Sequence, residues 1–224
     1  GYENVLRQVF EVATDAGLPV TFTLTTGNSG DPIWPGAVNL IEKFNAAGAD
    51  ITAQVFARPI GLVIGLELTA NPFVLYPSYQ EIADLPLAER VAQMRRPEVR
   101  ERILADRPGE GHPFMYFAQS WEWMFPLDDP ADYEPPREDS ILARARARGV
   151  SPMEEAYDRL LDDDGHAMML VALANFENNS LDTVGQLIRR DDVVLGLGDG
   201  GAHYGMICDA SYPTFVLAHW ARDR

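Results

Sequence analysis

Cysteine is almost missing from this chain: Cys208 is the single one among 224 residues. One thiol excludes an intrachain disulfide and any metal site built from a cysteine cluster, and it predicts a reducing, cytoplasmic setting. Basic residues are also scarce, with 18 Lys and Arg against 34 Asp and Glu and a formal net charge of -16. A sequence-independent nucleic-acid binder needs clustered cations to neutralise phosphates, so no nucleic-acid partner is expected. The short run Arg144, Arg146, Arg148 alternates with alanine and reads as a solvated helix face. Long apolar runs are absent as well. The longest, Ala167 to Ala174, falls far short of the roughly 20 residues of a membrane helix, and no signal-peptide pattern opens the chain. Neither a membrane partner nor export is predicted, no internal repeat is visible, and nothing in the composition sets an oligomeric state.

What is present is a core-forming chain with 46% hydrophobic content. Val5, Leu6, Val9, Phe10, Val12, Ala13 and Ala16 recur at helical spacing, with Gly17 and Pro19 as the stop. A strand is predicted over Pro19 to Thr25. After the Gly27 to Pro35 loop, Ala37, Leu40, Ile41 and Phe44 mark a second helix, with Gly48 where a C-terminal cap belongs. A second strand follows over Asp50 to Ala57. Gly165 to Phe176 reads as a buried strand, Ser180 as the cap of a helix running to about Arg190, and Asp192 to Leu197 as the last strand. Strands alternating with single helices predict a parallel sheet built of right-handed crossovers.

Leu68 to Asp164 is an insertion, because ordinary connections in such folds span about 2 to 6 residues. It carries helical patterns near Tyr79 to Met94, Pro97 to Asp106 and Ser140 to Arg148, then a capping box at Ser151-Pro152-Met153-Glu154. Its middle, Met115 to Phe125, holds Tyr116, Phe117, Trp121, Trp123 and Phe125. The expected organisation is βα units over 1–67, an insertion subdomain over 68–164 and βα units with a catalytic loop over 165–224.

The chemistry is concentrated in Val193 to His203, where a buried-strand pattern runs into Asp199 held between glycines, with His203 four residues later. A parallel α/β fold places its reactive groups at such strand ends. The plain alternative is a tight turn with Asp199 bonded to its own backbone. Gly196, Gly198 and Gly201 also satisfy a G-x-G-x-x-G pattern, but that motif must open a long helix, whereas Gly205 and Pro213 follow and Asp199 would set a negative charge in the phosphate turn.

Gly196-Leu197-Gly198-Asp199-Gly200-Gly201-Ala202-His203, continuing to Asp209-Ala210-Ser211-Tyr212-Pro213-Thr214 and His219-Trp220, resembles the N-acyl-D-amino-acid deacylase (D-aminoacylase-like) branch of the amidohydrolase superfamily. Gln54 to Gly61, Asn71-Pro72-Phe73, Leu85 to Val91, Arg96 to Arg100 and Asn175-Phe176 agree with it. The resemblance implies a partial (β/α)8 TIM-type barrel of about the last four strands with the long, mostly helical insertion, read as an internal fragment. It implies hydrolysis of a non-peptide amide in an N-acyl (D-)amino acid or related small molecule, with a divalent metal, zinc, as cofactor. Asp199 matches the aspartate that touches the metal and shuttles the proton. The family's early His-x-His pair would lie before Gly1, and the histidines expected at the fifth and sixth strand ends are missing from Thr21 to Thr25 and Thr52 to Arg58. That departure motivates the alternative, a catalytically inactive ligand-binding protein on the same fold.

Around Asp199 the expected substrate-binding residues are Arg58, Gln54, His203 and Asn175. Gln54 and Arg58 fall on one strand face with Thr52, making it polar where a plain barrel interior would be apolar. Arg58 suits a substrate carboxylate, or equally an internal ion pair with an acidic barrel residue. Asn175 and Glu177 end their strand, either lining the pocket or forming the turn to the Ser180-capped helix. His166 after Asp162-Asp163-Asp164 reads as a solvated charge run, and Trp220 as core. His112, His219 and Cys208 receive no chemistry.

Overall fold

The computed structural model describes residues 1–28, 32–109, 117, 119–196, 198–201, 203–207 and 209–224. His112, Met115, Tyr116 and Cys208 lie outside the described residues. In chain order the elements begin with α1 (Tyr2–Ala16), β1 (Val20–Thr23), α2 (Trp34–Ala46), β2 (Ile51–Val55) and β3 (Ile60–Gly65). Next come α3 (Pro77–Gln80), α4 (Leu87–Met94), α5 (Pro97–Ala105), β4 (Met124–Leu127), α6 (Ile141–Arg148) and α7 (Pro152–Leu160). The last are β5 (Met168–Ala174), α8 (Asp182–Leu187), β6 (Val193–Leu195) and α9 (Tyr212–Phe215), which continues as a π-helix over Val216–Asp223. The chain forms two units, one of Gly1–Ile60, Leu173–Asp199 and Asp209–Arg224, the other of Gly61–Ala172 and Gly200–Cys208.

In the first unit, α1 stops where its pattern predicts, at Gly17 in the left-handed conformation with φ 66°. Its buried stripe is Leu6 and Phe10, and the Phe10 ring meets Phe22 of β1 and Phe44 of α2, each at 5.6 Å between centroids. That aromatic cluster ties both helices to the sheet. β1, β2 and β6 are parallel in the order β1-β2-β6, with Thr23 opposite Gln54 and Gln54 opposite Val194. Parallel neighbours require a crossover, and α2, buried through Ala37, Val38, Leu40 and Ile41, supplies it between β1 and β2. Ile51, Ala53 and Val55 of β2 are buried, while Thr52 and Gln54 alternate with them on the more open face.

The predicted strand over Gly165 to Phe176 forms as β5, but it does not enter this parallel sheet. It is central in a second sheet, order β3-β5-β4, and runs antiparallel to β4 with Met124 opposite Val171 and Leu127 opposite Met168. The sequence pattern predicts neither of its neighbours. Ile60–Gly65 is a short apolar run without alternation, and Met124–Leu127 contains Pro126, which argues against a strand except at an edge. β4 is such an edge. An unbroken apolar run such as β5 does not reveal which sheet will bury it, and two unforeseen partners decide the matter.

The second unit also holds α3 to α7. The helical pattern near Tyr79 to Met94 divides into α3 and α4 because Pro86 stands between them as the residue preceding α4. Ser140 caps α6 by accepting from the Ala143 N–H at 3.2 Å. Phe73 packs edge-on against Tyr76 at 5.4 Å and Tyr157 at 5.3 Å, and the buried Tyr157 hydroxyl donates to the Met94 carbonyl. Among the described residues no helix is long and apolar enough to cross a membrane.

The capping box at α7 is complete: Ser151 Oγ accepts from the Glu154 N–H at 3.2 Å, and Glu154 accepts from the Ser151 N–H at 2.9 Å. The Ser151 backbone N–H, then its hydroxyl, hold the Glu154 carboxyl below its ordinary value. A depressed folded-state value gives stability that is present above the unfolded carboxylate range and is lost as the pH falls through the folded value. Ser151→Ala is expected to destabilise the chain by about 1 kcal/mol in urea titrations at pH 7. Glu154→Gln should flatten the loss of stability on acidification below about pH 4.

Candidate active site

The site is assembled where β6 ends. The Gly196 N–H donates to the Val55 carbonyl at 3.1 Å and extends the β2–β6 ladder by one residue. At Gly198 a Cβ would stand 2.7 Å from Tyr212 Cδ1 and 3.3 Å from Phe56 Cε2. Glycine is required there because an aromatic ring already occupies that space. Asp199 follows, half-buried. Its N–H donates to Asp209 Oδ2 at 3.2 Å, and its carbonyl accepts from the Asp209 N–H at 3.2 Å. Two reciprocal bonds to one residue thus fix the Asp199 backbone.

Arg58 takes the internal ion pair. Its Nη2 lies 3.4 Å from Asp209 Oδ1 and its Nη1 donates to Ser211 Oγ at 3.3 Å. Arg58 is 2% exposed, and its guanidinium carbon lies 5.8 Å from the Phe56 ring centroid. β2 ends at Val55, so Arg58 stands beyond the strand and the period-two face it was expected to share with Gln54 stops before it. Gln54 donates to Thr21 Oγ1 at 3.0 Å across the open face of the sheet.

Asn175 is fully buried with φ 59°. Its Oδ1 accepts from the Thr26 N–H at 2.9 Å, its Nδ2 donates to the Phe56 carbonyl at 3.1 Å, and its own N–H donates to the Thr26 carbonyl at 2.9 Å. Asparagine tolerates this left-handed backbone better than most residues. Glu177 lies in the turn toward α8 and accepts from the Thr183 hydroxyl at 2.7 Å. Ser180 Oγ accepts from the Asp182 N–H at 3.1 Å. His203 belongs to the second unit, is exposed, and closes a turn through its carbonyl, which accepts from the Met206 and Ile207 N–H groups. In that unit His166 Nδ1 meets Glu67 Oε2 at 2.6 Å at the surface, and Asp164 pairs with Arg95, as a solvated charge run should.

Asp209 and Ser211 are the functional neighbours that sequence reasoning did not single out. The signal for them was Arg58 itself, a cation within Phe56-Ala57-Arg58-Pro59 that burial obliges to find a carboxylate. The Trp220 indole N–H was equally hidden: it donates to the Ala57 carbonyl at 2.7 Å, beside Arg58.

A catalytic zinc takes three protein ligands. Among the described residues no group of three or more His, Cys, Asp or Glu is placed to hold a metal, and the Asp209 carboxylate is engaged by Arg58 and the Asp199 N–H. The described residues therefore do not make up the metal site that the resemblance implies. Comparison with protein-family models, with curated proteins and with solved structures finds no match to this chain.

Asn175→Ala would leave the Thr26 N–H and the Phe56 carbonyl buried without their partners. It should cost about 2 to 4 kcal/mol of stability, read from the shift of the denaturation midpoint.

Proposed function

We propose that this chain forms part of an amidohydrolase that cleaves the amide of an N-acyl (D-)amino acid or a related small molecule, with Asp199 as the proton shuttle. The observation that carries the reading is the position of Asp199, half-buried beyond the carboxyl end of β6 in an all-parallel sheet. Crevices outside the carboxyl ends of parallel strands are where such folds hold their ligands. In this reading β1, β2 and β6 are strands of a partial (β/α)8 barrel, with Thr21, Thr52 and Gln54 on its inner face. Gln54 remains a candidate substrate-side residue, while the buried Arg58 and Asn175 support the site through the neighbours they hold. A small-molecule substrate, no nucleic-acid or membrane partner, and a cytoplasmic setting belong to the same proposal.

The Asp199 carboxylate takes a proton from the attacking water as its oxygen bonds to the acyl carbon. It returns that proton to the nitrogen as the C–N bond breaks, so a carboxylic acid and an amine leave and the aspartate is regenerated. The resemblance implies a divalent metal, zinc, touching Asp199. The described residues do not complete its ligand set.

A second reading, a non-catalytic ligand-binding protein on the same fold, is motivated by the sequence: Thr21 to Thr25 and Thr52 to Arg58 carry no histidine where the resemblance expects one.

Asp199→Asn preserves size, and its bonds to Asp209 are made by the backbone. It should lower kcat for amine release from N-acyl amino acids at least about 10²-fold in protein whose circular dichroism matches wild type. Wild-type turnover by this variant would remove Asp199 from the mechanism.

A further inference from the structure

We infer that Arg58 and Asp209 are a buried positioning pair that holds the Asp199 turn in its working geometry, an inference that rests on Asp199 as the proton shuttle. Asp199 and Asp209 are ten positions apart in the chain and are joined by two bonds. The Asp209 carboxylate divides its oxygens: Oδ2 accepts from the Asp199 N–H and Oδ1 faces Arg58 Nη2. With each oxygen committed to a different partner, the plane of that carboxylate is set, and with it the direction from which the Asp199 backbone is held. Arg58 then reaches Ser211 with its other nitrogen, so one guanidinium grips two residues of the 209–212 segment.

The residue before Asp199 is held from the same segment. The Tyr212 ring covers Gly198 and meets Phe56 edge-on at 5.4 Å, and the Phe56 ring lies beneath the Arg58 guanidinium. Residues 209–212 thus fix Gly198 by contact and Asp199 by hydrogen bonds. A neutral side chain would suffice to cap a turn. A buried charge adds a penalty for every arrangement in which the pair is broken, since each partner would be left uncompensated. The Arg58 and Asp209 side chains are 3% and 13% exposed, so water does little to relieve that penalty. The alternative role, Arg58 as receptor for a substrate carboxylate, fits less well with a residue that is 2% exposed and bonded at both terminal nitrogens. Both members act through Asp199 and are positioning residues.

The test compares Asp209→Ala, Asp209→Asn and Arg58→Lys in the protein carrying this chain, by steady-state hydrolysis of N-acyl amino acids and by amide hydrogen exchange. Asp209→Ala should lower kcat about 30-fold with KM within about twofold, and Asp209→Asn, which keeps an oxygen for the Asp199 N–H, about tenfold. Arg58→Lys retains the charge, but its single ammonium cannot reach Asp209 and Ser211 at once as the guanidinium does, and it should lower kcat about tenfold with KM within about twofold. The Asp199 amide should exchange at least about tenfold faster in Asp209→Ala, while the Ala53 and Val55 amides of β2 keep their rates. If Asp209→Ala does not fold, the Asp209→Asn values decide. Unchanged kcat and unchanged exchange at Asp199 would overturn the inference, as would an effect confined to KM. Faster exchange in Asp209→Ala together with full activity of Asp199→Asn would uphold the pair as the holder of the turn and remove the shuttle reading alone.

Discussion

Everything near the candidate site hangs on the buried amide of Asn175. It joins the chain after β1, at Thr26, to the chain after β2, at Phe56, and it does so from the end of β5. These backbone groups lie past the last ladder bonds, where neither sheet nor water satisfies them, so the cost of leaving them unpaired keeps the three segments together. Phe56 carries the consequence forward. Its ring supports Tyr212 and the Arg58 guanidinium, the next residue's carbonyl holds Trp220, and Arg58 holds Asp209. Asp199 comes last in this series, positioned by groups that each depend on the one before.

Charge plays two different parts in the molecule. Pairs such as Arg96–Glu98, Arg102–Glu81 and Arg137–Glu122 have both side chains more than two-fifths exposed. Solvent screens them, and each contributes little. Arg58–Asp209 has the same chemistry in a site that water barely reaches, where losing one partner strands the other. Burial, more than distance, separates the pair that shapes the site from the pairs that decorate the surface. The acidic excess of the chain accordingly says more about its solvent behaviour and its partners than about its fold.

Much of the local structure was legible because its signals are local. The spacing of Leu6 and Phe10, the stop at Gly17 and the Ser151–Glu154 box each depend on residues within a turn or two, and each forms as read. Pairing was less legible. β5 has a uniform apolar run that suits either sheet, and its partners β3 and β4 carried weak or contrary signals, Pro126 above all. In the site, the glycine-flanked position of Asp199 after a strand was readable, and so was the need of Arg58 for either a substrate anion or an internal carboxylate. That the carboxylate is Asp209, more than 150 positions away, follows from the tertiary fold alone, as does the ring that makes Gly198 obligatory. Asn175 shows the limit most clearly: a polar residue at a strand end looks the same in sequence whether it faces a ligand or stitches the backbone.

The measurement that bears most directly on the proposed function is the release of primary amine from a panel of N-acyl D- and L-amino acids by the protein carrying this chain, set beside calorimetric binding of the same compounds. An amidohydrolase releases one amine and one carboxylic acid per molecule consumed, with multiple turnovers and with the rate tied to Asp199. Saturable binding of those compounds with no amine released would contradict the account and leave the fold as a ligand-binding protein.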